Sequence, residues 1–172
     1  MSDGPQRLVI NCGGPDPLPT ALPAELIEAL RTTAAHSTLV LSDMNSTSIL
    51  ADGSLGKGVE DVTVSNSEDN DCSRLEASHD GYVRGFGLVH KRSLMLGNDG
   101  KELRGADQLV TKGRRKIRDA VPYVIRFHLA PGVEATKTAD GMGAILRSAG
   151  APPWNLRCGG ANLGIEESLM AD

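Results

Sequence analysis

Aromatic residues are scarce in this sequence: one Trp, two Tyr and two Phe stand beside 20 Gly and 9 Pro in 172 residues. That balance argues against a helical bundle and favours many short elements joined by tight turns. An excess of one charge is lacking as well. The 18 cations and 22 acids give a formal net charge of −4, spread along the chain, so nucleic acid and anionic membranes find no general attraction. No run approaches the roughly 18 apolar residues needed to span a bilayer. The start, MSDGPQRLVINC, lacks the charged region and long apolar core of a signal peptide, so the chain as written is expected in the cytoplasm. Cys12, Cys72 and Cys158 are odd in number and far apart, without the CxxC spacing of zinc or dithiol redox centres; they read as free, partly buried thiols. A GxSxG elbow, a Gly-rich phosphate loop before a helix and an HExxH motif are all absent, which leaves hydrolase, nucleotide-binding and zincin readings without support.

What is present is a succession of short strand patterns. The length suits a single domain over residues 1–172, and 40% hydrophobic content is enough to close its core. Arg7 to Asn11 is an apolar run punctuated by Gly-Pro and Gly-Gly-Pro, as a buried strand is. A proline-rich loop, Pro15 to Pro19, leads into Pro23 to Arg31. There Pro suits a first helical turn and Leu26, Ile27 and Leu30 share a face, and this is expected to be the only helix. His36 to Leu41 is a strand closed by the turn formers after Asp43. VTVSNSEDNDCSRLEASHD is a hairpin with its tip at Glu68 to Asp71, and Gly85 to Leu96 a further arm. GNDG at 97–100 turns that arm back into Glu102 to Leu109, because Asn and Gly accept the positive φ of hairpin turns. TKGRRKIRDA, 111–120, has no apolar face and reads as a solvated loop. YVIRFHL, VEATK, AILR, WNLRC and NLGIE then follow at about ten-residue spacing, the rhythm of an antiparallel sandwich. The expected fold is all-β, an antiparallel β-sandwich of many short hairpin-connected strands with one short helix near residues 23–31.

The candidate chemistry sits on those strands. His79-Asp80 has the composition of an imidazole oriented by a carboxylate, although neighbours on a strand point to opposite faces. Alternation places His90 and Arg92 on one face and Lys91 on the other. A face carrying Arg84, His90 and Arg92 would suit a carboxylated or sulfated ligand, since a guanidinium offers two parallel donors; a solvated strand face is the alternative. Arg126 and His128 share one face of YVIRFHL, where charge display on the outside of a sheet is the default.

RTTAAHSTLVLSDMNS, ASHDGYVRGFGLVHKRSLML, GKELRGADQLV, VPYVIRFHLAPGVEATKTADG and NLGIEESL, in this order, closely resemble the C-terminal β region of bacterial heparinase II/III-like proteins. The resemblance covers nearly the whole chain. It implies a polysaccharide lyase in which an α/α toroid is followed by antiparallel sheets, degrading uronic-acid glycans such as glycosaminoglycans at the cell envelope or in the periplasm. In β-elimination the carboxylate is neutralised, a base takes the C5 proton and an acid protonates the leaving oxygen. By resemblance, His79 and Tyr82 are the catalytic candidates and Arg84, His90 and Arg92 the substrate-binding ones. The family's sheet region also holds a structural metal, zinc, through two histidines and an aspartate. His36 matches one ligand position, while the aspartate's position falls at Asn11, a neutral and poorer zinc ligand. The toroid and a preceding His-x-His type segment are missing, so the chain is expected to be incomplete at both ends and inactive alone. Its expected partners are an acidic polysaccharide and the toroid, with self-association through open sheet edges. The alternative is a non-catalytic sandwich that binds acidic glycan or packs against a partner.

Overall fold

The computed structural model describes residues 1–12, 23–113 and 120–168. Strands β1 (Ser2–Asp3), β2 (Gln6–Arg7) and β3 (Val9–Ile10) open the chain, followed by helix α1 (Ala24–Arg31) and a 3-10 turn at Thr33–Ala35. Then come β4 (Leu39–Leu41), β5 (Val62–Glu68), β6 (Cys72–His79), α2 (Val83–Phe86), β7 (Leu88–Gly97) and β8 (Leu103–Thr111). The last elements are β9 (Tyr123–Ile125), β10 (His128–Leu129), β11 (Glu134–Lys137), β12 (Gly143–Arg147) and β13 (Trp154–Arg157). All pairings among the described strands are antiparallel. The expectation of an all-β antiparallel sandwich is met.

The four-stranded sheet β5-β6-β7-β8 is the largest, and local sequence explains its order. The β5–β6 hairpin turns at Asp69, whose carboxylate accepts the Asp71 and Cys72 amides at 2.9 Å. The GNDG turn closes β7 on β8: Gly100 has φ 68°, which glycine tolerates without a Cβ clash, and the Gly97 amide bonds to the Glu102 carbonyl at 2.9 Å. This turn fixes a register in which His90 opposes Leu109 and Arg92 opposes Asp107. One face of the sheet therefore carries His79, His90, Arg92, Asp107 and Leu109. The other carries Thr63, Ser65, Ser78, Lys91 and Gln108, and it is open to water.

Above the first face lies the β4–β9 pair. Leu39 and Leu41 from β4 pack with Tyr82 and Leu88, all at most 2% exposed, and Phe86, Leu109, Val121 and Ile125 close around them. Burying an aliphatic side chain of this size contributes about 1.5–3 kcal/mol, so this two-layer contact is the main support of the site beneath it. Residues Ser42 and Asp43 both have positive φ and end β4 in a tight turn, with the Met44 amide on the Leu41 carbonyl at 3.0 Å.

Five expectations are corrected. Helix α1 is not the only helical stretch, because VRGF winds into α2. Gly87, at φ 73°, ends that turn with its amide on the Val83 carbonyl, so the third arm begins at Leu88 rather than Gly85, and Arg84 lies outside it. RLVIN is split between β2 and β3. YVIRFHL breaks after Ile125: the Arg126 amide bonds to the Thr38 carbonyl, and the chain leaves β4 to pair His128 with Ile10 on β3. NLGIE forms no strand; Ile165 is 48% exposed and pairs with none of the described strands. The expected proline-rich loop at Pro15 to Pro19 and residues 114–119 of the basic loop lie outside the described residues.

Candidate functional site

The strand ladder β6-β7-β8 brings His79, His90 and Asp107 into a hydrogen-bonded chain. His79 Nε2 lies 3.0 Å from His90 Nδ1, and His90 Nε2 lies 2.6 Å from Asp107 Oδ1. His90 is only 3% exposed. Arg92 then grips the same carboxylate with two donors, Nε to Oδ1 at 2.8 Å and Nη2 to Oδ2 at 3.0 Å, the bidentate fork that a guanidinium is shaped to make. The tautomers follow from the ends of the chain. Ionised Asp107 only accepts, so His90 carries its proton on Nε2. At the other end the Gly81 amide donates to His79 Nδ1 at 3.2 Å, so His79 carries its proton on Nε2 and gives it to His90 Nδ1. Every donor finds an acceptor.

The electrostatics agree with that assignment. Burial alone would raise the Asp107 carboxyl, but hydrogen bonds from His90 and Arg92 outweigh it and hold the group below the ordinary carboxylate value. Burial, aided by His90 and opposed by Asp80, lowers His79.

Arg92 extends the network across the layers. Its Nη1 donates to the Ser37 carbonyl at 2.6 Å, and its guanidinium lies 5.9 Å from the Phe127 ring centre. Ser37 is a hub: its amide donates to Asn11 Oδ1 at 2.9 Å, its hydroxyl donates to the Ile10 carbonyl at 2.5 Å, and that hydroxyl accepts the His128 amide at 2.9 Å. Next to it, His128 Nε2 donates to the Ala34 carbonyl at 2.8 Å. Burial, with a smaller contribution from neighbouring His128, lowers His36.

Five of the residues singled out in the sequence, Asn11, His36, His79, His90 and Arg92, thus lie on or beside one continuous network. Two do not join it. The Tyr82 hydroxyl is buried and donates to the Leu39 carbonyl at 2.9 Å, and burial raises its proton affinity. Arg84 stands exposed on α2. Sequence reasoning missed Asp107 and Ser37. The signal for Asp107 was available, since the register that GNDG imposes sets it directly opposite Arg92. Ser37 had none, because its role depends on β3 and β10 meeting from opposite ends of the chain.

The whole chain, residues 1–172, matches the family described as heparinase II/III-like, C-terminal. The chain belongs to that family. Among curated proteins it is similar to FtsZ-localized protein C of Caulobacter vibrioides (strain NA1000 / CB15N), at 31% identity over 153 residues. That similarity covers 77% of this chain and 26% of the relative, so the chain spans about a quarter of that protein's length. No solved structure matches it.

The zinc that the resemblance implies meets a poor donor set here. Asn11 Oδ1 is neutral and already accepts the Ser37 amide. Among the described residues no three His, Cys, Asp or Glu side chains converge as a metal centre needs. The amide at position 11 instead clamps the hub, and no chemical step is assigned to a metal.

Proposed function

We propose that this chain is the β-sandwich part of a heparinase II/III-like polysaccharide lyase that acts on uronic-acid glycans at the cell envelope, and that it cleaves no glycan alone. The match of the whole chain to the family carries the reading. The need for a toroid is supported by the saturation of the histidine network. Removing the C5 proton requires a base with a free lone pair at the substrate. Both nitrogens of His79 are engaged, His90 is buried, and the Tyr82 hydroxyl is committed to the core. In this reading the β part binds and positions. Arg84 on α2 and Lys91 on the open sheet face are the exposed cations that would meet uronate carboxylates, while His90 and Arg92 hold the scaffold behind them.

Chromatography on immobilised heparin tests the binding half. The chain is expected to be retained, with Arg84→Ala and Lys91→Ala eluting at lower salt; elution of both variants at the salt of the parent chain would contradict it.

The similarity to FtsZ-localized protein C supports a second reading, in which the chain acts by assembly with the division protein that this relative is named for. Co-sedimentation with FtsZ filaments at physiological salt would favour it, and a chain left wholly in the supernatant would exclude it.

A further inference from the structure

The His79–His90–Asp107 chain has one property that its neighbours do not share: it has no place for another proton. Three acceptors, His79 Nδ1, His90 Nδ1 and Asp107, face three donors in line, with Arg92 closing the carboxylate. A proton added to His79 sits on Nδ1, facing the Gly81 amide. A proton added to His90 sits on its Nδ1 and turns the proton of His79 over to Nδ1, again facing Gly81. A proton on Asp107 Oδ1 shifts both imidazoles the same way, and one on Oδ2 faces Arg92 Nη2. Within the network the added charge therefore ends as a donor against the Gly81 amide or against a guanidinium.

Gly81 also sits where the chain packs closely. A Cβ built there would lie 2.6 Å from the Ser46 carbonyl oxygen and 2.9 Å from Val59 Cγ2. The turn is further tied by Asp80, whose carboxylate accepts the Glu60 and Asp61 amides at 2.9 and 3.0 Å. Asp61, His79 and Asp80 line a cavity of about 230 Å³ with Lys91 and Lys112.

We infer that the histidine chain is an acid-operated latch: uptake of one proton replaces the Gly81–His79 hydrogen bond by a donor–donor contact and loosens the Asp80–Tyr82 turn from the Ser46 and Val59 segments, beside this cavity. The charged and titratable groups around it are Asp80, Lys112, Asp61 and Glu60 on the turn side, Tyr82 with its ring 5.6 Å from His79, and Asp107 and Arg92 on the sheet side. Asp80 attracts the incoming proton, whereas burial and His90 oppose it, so the latch is set to open below neutrality. The inference stands apart from the glycan reading.

The test is an NMR titration of the 172-residue chain from pH 7.5 to 5, following the His79 and His90 ring nitrogens and the Gly81 amide. At pH 7.5 both rings are expected as Nε2–H tautomers. On acidification the Gly81 resonance is expected to move with the His79 ring at one shared midpoint below 6.5. In His79→Asn the amide oxygen replaces Nδ1 as acceptor and does not titrate, so the Gly81 movement is expected to vanish. At the acid end, Gly81 amide exchange in the parent chain should exceed that in His79→Asn by about fivefold, the effect of losing one hydrogen bond of ordinary net strength. A Gly81 amide that stays fixed while His79 titrates, or rings in other tautomers at pH 7.5, would overturn the latch. The parent titration decides the matter if His79→Asn does not fold.

Discussion

At the scale of single residues, Asp107 bears the most weight for its size. It is the acceptor that fixes His90, and it neutralises Arg92 in a region where both carboxylate oxygens are shielded from water. Asp107→Ala leaves a guanidinium and an imidazole without their partner. The expected loss of stability is about 3–5 kcal/mol, the cost of stranding one member of a buried pair, measured by urea unfolding at pH 7.5. Arg92→Met strands the more deeply buried member, the Asp107 carboxylate, with His90 as its remaining side-chain donor, and should cost a similar amount. Histidines set the pH dependence. His79 and His36 are both held below 6.5, chiefly by burial. Between that value and their folded values the unfolded chain binds more protons, so stability is full above about pH 6.5 and falls as the pH drops beneath it. Asp107 acts at lower pH with its contribution present above 3.8 and lost as the pH falls through its depressed folded value. The expected urea midpoint therefore declines on acidification from 6.5, and a midpoint constant between pH 7.5 and 5 would contradict the assignment. Sequence patterning placed His90 and Arg92 on one face correctly, since strand alternation is a local rule. It could not tell that this face is the inner one, because that depends on Leu39, Leu41 and Ile125 arriving from distant segments.

Among the elements, the hairpins were legible and the broken segments were not. The Glu68–Asp71 tip and GNDG carry their turn chemistry within four residues, so β5 through β8 could be read with nearly correct limits. YVIRFHL has the alternation of one strand, yet it serves two partners, β4 and β3, and pattern alone does not show where a strand changes neighbours. Gly85 and Phe86 read as the start of a strand; Gly87 at positive φ and the Asp80 carbonyl, which accepts the Val83 amide at 2.8 Å, make VRGF a helical turn instead. Strand β5 forms an edge of the four-stranded sheet, with Val62 and Val64 61% and 66% exposed. Unpaired backbone donors and acceptors beside exposed valines invite a further strand. Concentration-dependent association is the expected behaviour in light scattering. Val64→Lys, which sets a charge on that edge, should shift it towards monomer; association unchanged in Val64→Lys would place the contact elsewhere.

For the molecule as a whole, the β-sandwich and its family follow from different kinds of information. Spacing, Gly and Pro punctuation and the scarcity of aromatics pointed to the fold. Blocks such as AHSTL, HDGY and RFHLAPGV pointed to the family, and the whole-chain match bears that out. The network explains why these distant blocks belong together: they supply the neighbours of Ser37 and the His79 end of the Asp107 chain, which join the layers. In the proposed reading these histidines hold the β-sandwich together and do not by themselves eliminate across a glycosidic bond. Absorbance at the unsaturated uronate band, followed after adding heparin, heparan sulfate or alginate to the purified 172-residue chain, tests it most directly. A flat trace is expected with all three glycans; a rise that His79→Asn abolishes would overturn the reading.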